Sequence, residues 1–140
     1  MYLLIVGPDD GFIFPDLPPN SKIRRFDFTA HPEKFYICSD LYILPSAREG
    51  FGSSVIEAAS CGVPTIGSSI DGLNESIVHL KTGLLYDRLY PSQLLNSIEY
   101  LYLHRNHLAE FSVNARKRVL DQFNQDYVLD NLLNFLLTNV

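Results

Sequence analysis

The sequence predicts an α/β domain in which helices cover both faces of a parallel sheet, with a helical segment at the C-terminal end. Short uncharged apolar runs that stop at glycine or proline alternate with helical stretches, and this alternation is typical of parallel sheets. Beyond residue 91 the apolar residues recur at helical spacing instead. A chain of 140 residues, 46% of them hydrophobic, is long enough for one domain of ordinary size and short for two.

The strands are predicted from short apolar runs that end at turn residues. The first, Tyr2–Val6, stops at Gly7 and has the continuous apolar character of a strand that is buried on both faces. A loop is predicted over residues 7–22, because prolines and glycines crowd this stretch. Four more strands are predicted, at residues 23–26, 41–44, 63–67 and 83–86.

The helices between these strands are predicted from capping residues and spacing. A helix of one or two turns is predicted over residues 32–39, where the proline suits the first turn. A second helix is expected to start with Ser53 or Ser54 as its N-cap and to stop at Gly62. A third, over residues 74–79, follows a predicted turn.

A helical tail is predicted over about residues 91–140. Apolar residues at helical spacing indicate three helices there, and the first two have one apolar and one polar face. The last helix is apolar on more than one side, with leucines at 129, 132, 133, 136 and 137.

The charge and the composition exclude several classes of protein. The net charge of −5, from 11 basic and 16 acidic side chains, does not fit a nucleic-acid-binding protein. No apolar run approaches the roughly 20 residues that a membrane-spanning helix needs. The basic cluster at residues 116–118 lies on a helical pattern and is interpreted as a solvated helix face, with a contact to anionic lipid or substrate as the alternative.

The cysteines and histidines do not predict a metal site. Cys38 and Cys61 are too few and too far apart for a zinc site or a disulfide framework, and their apolar surroundings predict small core residues. The four histidines share no spacing that suits a metal ion. A reducing cytoplasm fits this use of cysteine.

The stretch from Glu49 to Glu57 carries the candidate chemistry, because it follows the strand at 41–44 and ligands bind at the carboxyl ends of parallel strands. Gly50 and Gly52 let the backbone approach a ligand, and the helix that starts next presents unpaired N–H groups. We therefore expect two carboxylates to flank a pocket with an amide floor. Such a pocket suits a ligand with hydroxyl groups at both ends and phosphate between them.

This stretch resembles the Glu-x7-Glu signature of retaining glycosyltransferases of the GT-B fold, in particular glycosyltransferase family 4. The resemblance covers nearly the whole chain and extends to residues 3–7, 39–46, 61–66, 71–75 and 82–85. It implies the nucleotide-sugar-binding C-terminal half of the GT-B fold, a Rossmann-like doubly wound parallel sheet that forms a single domain over residues 1–140. It also implies that the N-terminal acceptor domain and the start of the C-terminal domain are absent from this chain.

The resemblance implies roles for individual residues. Glu49, as the catalytic residue, would bond hydroxyl groups of the donor sugar, and Glu57 would bond the ribose hydroxyls of the nucleotide. The backbone amides implied to hold the sugar and the diphosphate belong to Gly50, Phe51, Gly52 and Ser53. The residues implied to wall the base are Thr29, Ala30 and His31. Glu75 would line the donor site or, alternatively, support a neighbouring loop.

The implied reaction moves a hexose from a UDP-, GDP- or ADP-linked donor to a glycan or lipid-linked acceptor with retention of configuration. The resemblance implies no metal and no other cofactor, because protein dipoles and cations offset the charge of the leaving diphosphate. The implied partners are the missing N-terminal domain or, through the apolar final helix, a second copy of the chain. The implied location is the cytoplasm, with peripheral contact at the inner face of the membrane in polysaccharide biosynthesis.

Four alternatives stay open. The chain is a catalytically incompetent nucleotide-sugar-binding fragment or split subunit in the first. In the second, the two acids are a glycosidase pair, which requires carboxylates roughly 5–10 Å apart. In the third, Glu49 and Glu57 are only a helix-capping residue and a solvent-exposed helix residue. An NAD-binding fold is the fourth, although residues 7–11 lack the Gly-x-Gly-x-x-Gly pattern.

Overall fold

The computed structural model describes residues 1–8 and 21–138. The chain divides into two compact units, Met1–Pro32 and Glu33–Val140. The first unit carries a two-stranded sheet, and the second carries a three-stranded sheet with its helices. The loop predicted over residues 7–22 lies mostly outside the described residues.

The first unit pairs β1 (Leu3–Val6) in parallel with β2 (Ile23–Phe26). Both strands lie at the residues predicted for them. The prediction that the first strand is buried on both faces is wrong, because Leu3 is 42% exposed and Val6 is 39% exposed. A doubly buried strand needs a helix layer against each face, and the described part of this unit contains no helix.

The second unit contains three parallel strands in the order β3, β4, β5. Their bounds are Tyr42–Leu44, Thr65–Ser68 and Gly83–Tyr86. Tyr42 lies opposite Thr65, and Thr65 lies opposite Gly83. A Cβ on residue 83 would overlap the Thr65 carbonyl oxygen, so glycine is required where β5 meets β4.

Six helices complete the second unit among the described residues. Their bounds are α1 (Glu33–Tyr36), α2 (Ser53–Ser60), α3 (Asp71–Ser76), α4 (Pro91–Leu103), α5 (Arg105–Gln122) and α6 (Gln125–Thr138). The helical tail is therefore present as predicted. The short helix predicted over residues 74–79 is present, but its bounds are wrong, since α3 begins three residues earlier and the chain is extended at Ile77. The glycine at 72, interpreted as part of a turn, lies inside the helix.

The two faces of the three-stranded sheet carry separate apolar clusters. One cluster joins the sheet to α4 and α5 through Ile66, Leu84, Tyr86, Leu101, Leu108 and Phe111. The other joins it to α2, α3 and the C-cap of α3 through Tyr42, Leu44, Val55, Leu73, Ile77 and Leu85. Leu84 and Leu85 are neighbours in β5 but belong to different clusters, because successive strand residues point to opposite faces. Helices thus cover both faces, which confirms the predicted doubly wound arrangement.

The end of α2 follows the glycine prediction closely. Gly62 has φ +76, in the left-handed region that favours glycine after a helix. Its N–H donates to the Ala59 carbonyl at 2.9 Å, and the Val63 N–H donates to the Ala58 carbonyl at 2.9 Å. These two bonds satisfy the last carbonyls of α2 and direct the chain into β4.

The basic cluster of α5 is not a solvated face throughout. Arg116 donates to the Ser60 carbonyl at the end of α2. Arg118 donates to the carbonyls of Glu75 and Ser76, at 2.7 and 2.5 Å, at the end of α3. A cation is favourable at a helix C-terminus, where carbonyls lack helical partners. Two of the three basic side chains therefore tie α5 to the neighbouring helices.

The prediction that both cysteines are small core residues is wrong for Cys38. This residue follows the short α1 and is exposed, whereas Cys61, the C-cap of α2, is half-buried. The apolar residues on either side of Cys38 lie in α1 and near the start of β3. The loop between these elements leaves the Cys38 thiol outside the core.

The last helix, α6, has no buried residue. Its apolar side chains are exposed, with Leu132 at 51% and Leu137 at 78%. None of the helices in the described ranges combines the length and the apolar character that crossing a bilayer requires.

Candidate functional site

The turn between β3 and α2 is the centre of the candidate site. It begins at the carboxyl end of β3 and reaches Gly52, whose left-handed backbone, with φ 71 and ψ 53, starts α2. The prediction of Ser53 or Ser54 as N-cap is wrong, because the left-handed turn at Gly52 places the start of the helix one residue earlier. No side chain caps α2 in the described part of the chain. Its leading amides thus keep the character of an anion-binding helix terminus.

Helix α3 supports this turn from one side. A Cβ on Gly52 would lie 2.6 Å from Cδ2 of Leu73, so the backbone at residue 52 rests on α3. A Cβ on Gly72 would overlap the backbone carbonyl of Glu49 and lie 2.7 Å from that of Gly50. By contrast, a Cβ on Gly50 would meet no atom within 4 Å. The turn is therefore fixed against α3 but open at Gly50, where a ligand can approach the backbone.

Glu49 has a fixed partner. The Ser46 hydroxyl donates to its Oε1 at 2.7 Å, and the Glu49 side chain is half-buried. This bond occupies one carboxylate oxygen and limits the rotation of the side chain. The remaining acceptor capacity of the carboxylate is suited to hydroxyl groups of a ligand.

Tyr42 is a half-buried tyrosine whose pKa is affected by both Glu49 and Glu57. Burial is the main cause that raises the pKa of Tyr42; hydrogen bonds with Ser54 and Tyr36 lower it, and the negative charges of Glu49 and Glu57 raise it to a smaller extent. The Tyr42 hydroxyl donates to Oγ of Ser54 at 3.3 Å, in the first turn of α2. Glu57 is exposed on the next turn of that helix. The hydrogen bond between Tyr42 and Ser54 joins β3 to the first turn of α2.

Tyr36 extends this polar group towards α1. Its ring packs edge-on against the Tyr42 ring, with 5.4 Å between the centroids. Burial raises the pKa of Tyr36, and charge on Tyr42 and Glu57 raises it further. The sequence analysis did not single out either tyrosine, because a tyrosine in a strand or a short helix is usually interpreted as a core residue. In the structure the two tyrosines lie side by side, and Tyr42 is bonded to the first turn of α2.

Three other predicted site residues, Phe51, Ser53 and Glu75, lie in different elements. Phe51 is 37% exposed, and its ring packs against Phe123. Ser53 is exposed at the start of α2. Glu75 is exposed on α3, and its carbonyl accepts a bond from Arg118. Phe51 thus lies in the turn and Ser53 at the start of α2, while Glu75 contributes its backbone carbonyl to the packing of α5. The roles of these three residues towards a donor stay predictions.

The predicted base-binding residues belong to the first compact unit. Thr29, Ala30 and His31 follow β2, and the His31 N–H donates to Oγ1 of Thr29 at 3.0 Å. Their role towards a nucleotide base stays a prediction.

Two further residues were missed by sequence reasoning. Gly72 carries a usable signal, because glycine inside a helix is costly and indicates close approach of another backbone. Phe123 carries none, since it is an apolar residue at the end of an amphipathic helix. Across the described ranges, no group of three or more histidine, cysteine or acidic side chains is arranged to hold a metal ion.

The comparison with known families identifies this architecture. The sequence profile described as "Glycosyl transferases group 1" matches residues 20–118, which is more than half of the chain. The chain belongs to the glycosyl transferases group 1 family. The resemblance stated from the Glu-x7-Glu stretch is thereby confirmed at the level of the family.

Curated relatives in the glycosyl transferases group 1 family are longer proteins. D-inositol 3-phosphate glycosyltransferase of Gordonia bronchialis is 32% identical over 117 residues, covering 84% of this chain and 24% of the relative. The capsular polysaccharide biosynthesis glycosyltransferase CapM of Staphylococcus aureus is 27% identical, covering 83% of this chain and 30% of the relative. The chain thus spans about a quarter of the length of the curated relatives it matches.

A solved structure with the same fold is Anabaena HepE in complex with UDP-glucose. It superposes with a TM-score of 0.83 at 22% identity and covers 98% of this chain and 41% of HepE. The fold of the glycosyl transferases group 1 chain is therefore that of a GT-B C-terminal domain, as the resemblance implies.

Proposed function

We propose that this chain binds the donor of a retaining glycosyltransferase, a hexose linked to a nucleoside diphosphate. The observation that carries the proposal is the open glycine turn at the start of α2, with Glu49 and Glu57 on either side of it in the sequence. An amide-rich helix terminus suits the diphosphate, and the carboxylates suit the hydroxyl groups of sugar and ribose. The HepE structure, which contains UDP-glucose, supports a donor of this class.

The proposed roles follow from the chemistry of each group. The Glu49 carboxylate, which accepts a hydrogen bond from Ser46, also accepts hydrogen bonds from hydroxyl groups of the donor sugar. Glu57 bonds the ribose hydroxyls, and the amides from Gly50 to Ser53 hold the sugar and diphosphate. Thr29, Ala30 and His31 keep their proposed role at the base, and Glu75 is proposed to contact the donor sugar nucleotide.

The site contributes to transfer by stabilising the departing nucleoside diphosphate. Amides that are already oriented towards the developing negative charge act without reorganisation during the reaction. The acceptor hydroxyl is proposed to attack the same face of the sugar from which the diphosphate leaves, so the configuration is retained. We propose no metal and no other cofactor for this step.

The proposed acceptor is a glycan or a lipid-linked sugar, in polysaccharide biosynthesis at the inner face of the cytoplasmic membrane. The relationship to CapM, named for capsular polysaccharide biosynthesis, supports this class of pathway. A further GT-B domain, or a second copy of the chain through α6, is the proposed partner, since the α6 apolar side chains are exposed.

Calorimetry with UDP-glucose, GDP-mannose and ADP-glucose tests the proposal. We expect a Kd between micromolar and millimolar for one of them, or about −8 to −4 kcal/mol, because no lysine or arginine is among the groups proposed to hold the diphosphate. Glu57→Ala should weaken binding by about 1.5–3 kcal/mol through loss of a charged hydrogen-bond acceptor. The control is Glu110→Ala, which removes an exposed carboxylate on α5.

The same titrations separate the proposal from its alternatives. If Glu57→Ala binds every nucleotide sugar as tightly as the wild type, the assigned role of Glu57 is wrong. Binding without release of the nucleoside diphosphate in the presence of acceptors would favour the second candidate, a nucleotide-sugar-binding fragment without turnover.

A further inference from the structure

The aromatic ring at the end of α5 contacts the glycine turn. The centroid of Phe123, the C-cap of α5, lies 5.6 Å from that of Phe51, with the ring planes at 55°. Phe51 is the side chain between Gly50 and Gly52, so its ring is the part of the turn that can be held from outside. The tilted geometry and the centroid distance are those of a favourable aromatic pair.

Phe123 is itself held by a fixed cation. The guanidinium carbon of Arg118 lies 5.0 Å from the centroid of the Phe123 ring. Its two Nη atoms donate to the carbonyls of Ser76 and Glu75, so the guanidinium cannot swing away without losing both bonds. Burial lowers the pKa of Arg118, which reflects its partial removal from water, and a cation attracts an aromatic ring more strongly when it is desolvated.

These contacts close a ring of supports around the turn. Helix α3 supports the turn through Gly72 and Leu73, Arg118 of α5 bonds the end of α3, and Phe123 returns to Phe51. The Phe123 ring adds a second support, because α3 holds the backbone of the turn whereas Phe123 holds the Phe51 side chain.

We propose that Phe123 is a positioning residue for donor binding, which holds Phe51 and thereby orients the amides of residues 50–53 before the ligand arrives. The inference rests on the proposed function. Pre-organisation of this kind increases affinity by reducing the ordering that binding requires. Loss of the aromatic pair should therefore weaken donor binding by about fivefold to tenfold.

The first test compares Phe123→Leu with Leu120→Ala in the full chain. Phe123→Leu keeps an apolar side chain against α2 but removes the ring, whereas Leu120 is 56% exposed one turn earlier on α5. Binding is titrated with UDP-glucose, GDP-mannose and ADP-glucose, and Tm is measured for each variant. If Phe123 is a positioning residue, the Kd of Phe123→Leu should be about fivefold to tenfold higher than that of the wild type at a temperature where both are fully folded. A merely structural role lowers Tm and leaves Kd unchanged, which would overturn the inference.

The second test uses the absence of tryptophan from the sequence. Phe123→Trp places a single tryptophan beside Phe51, and Leu120→Trp places one at the exposed control position. Saturating nucleotide sugar should shift the emission of the first variant and leave that of the second unchanged. Equal responses, or none in either variant, would contradict the proposed contact with the turn.

Failure of the inference can be told apart from failure of the proposed function. If the wild type binds none of the three nucleotide sugars, both fail together. If the wild type binds and Glu57→Ala loses affinity while Phe123→Leu does not, the proposed function stands and the role of Phe123 is refuted.

Discussion

Gly72 of α3 lies directly beneath the backbone carbonyl of Glu49, so closely that no side chain fits between them. This approach brings a helix that follows β4 against the turn that follows β3. The position of the candidate site thus depends on a residue that carries no functional group.

Gly72→Ala should destabilise the protein and distort the turn. The atoms that an added Cβ would meet are backbone atoms of Glu49 and Gly50, which cannot rotate away. Forcing a methyl group into such a contact costs about 1–3 kcal/mol. Urea unfolding followed by circular dichroism measures the loss of stability. The matched control is Gly50→Ala, and an equal loss in both variants would contradict the packing described here.

Gly50→Ala should separate stability from binding. Its added methyl group would meet no neighbouring atom within 4 Å, so the free energy of unfolding should change by no more than about 0.5 kcal/mol. The same methyl group occupies the space proposed for the donor, and nucleotide-sugar affinity should fall. Calorimetry with the nucleotide sugar that the wild type binds checks this expectation, and unchanged affinity would place the ligand elsewhere.

Thr65→Val should leave the protein as stable as the wild type or more stable. The Thr65 side chain is 1% exposed, and its hydroxyl has no hydrogen-bond partner among the described residues. An unsatisfied buried hydroxyl costs about 1–3 kcal/mol, and valine has the same shape without it. Thr82→Val is the control with the opposite sign, because Oγ1 of Thr82 accepts the Val78 N–H at 2.9 Å. Urea unfolding measures the change in the free energy of unfolding for each variant, which should be zero or positive for Thr65→Val and negative for Thr82→Val.

Arg118→Ala should destabilise the packing of α5 on α3. The variant loses two bonds from a charged donor to the carbonyls of Glu75 and Ser76, and bonds of this type contribute about 1.5–3 kcal/mol. The neighbouring Lys117 is exposed, so Lys117→Ala should stay within about 0.5 kcal/mol of the wild type. Thermal unfolding compares the two, and similar Tm values would show that the Arg118 bonds contribute little.

Stability should fall at alkaline pH through the two tyrosines. The pKa values of Tyr36 and Tyr42 are raised in the folded state, chiefly by burial, so the folded protein holds these protons more tightly than the unfolded chain. Their contribution is complete below the unfolded tyrosine pKa of about 10 and is lost as the pH rises above it. Urea unfolding at increasing pH should therefore show a smaller alkaline loss for the double variant Tyr36→Phe, Tyr42→Phe. Tyr127→Phe, at an exposed tyrosine, is the control.

The sequence predicted the strands well because their signal is local. Runs such as Gly83–Tyr86 are apolar, short and bounded by turn residues, and the structure places β5 at the same residues. The start of α3 was misplaced because glycine usually indicates a turn, whereas Gly72 is needed inside the helix for contact with another backbone. The exposed face of β1 could not be predicted, since an apolar run does not tell which faces are covered.

The candidate site was predicted in part for the same reason. Glu49, Gly50, Gly52 and Glu57 are close in sequence, so a single turn and the helix that follows it carry all four. Phe123 lies far along the chain, and its contact with Phe51 depends on how α5 packs against α2. Such contacts arise from tertiary packing, which no local pattern records.

The exposure of α6 has a consequence for its dynamics. An isolated helix of 14 residues is only marginally stable in water, and α6 buries none of its side chains. Its amide hydrogens should exchange with deuterated solvent far sooner than those of α5, which places Leu108, Phe111, Ala115 and Val119 in the core. The boundary between rapid and slow exchange should therefore fall near Phe123.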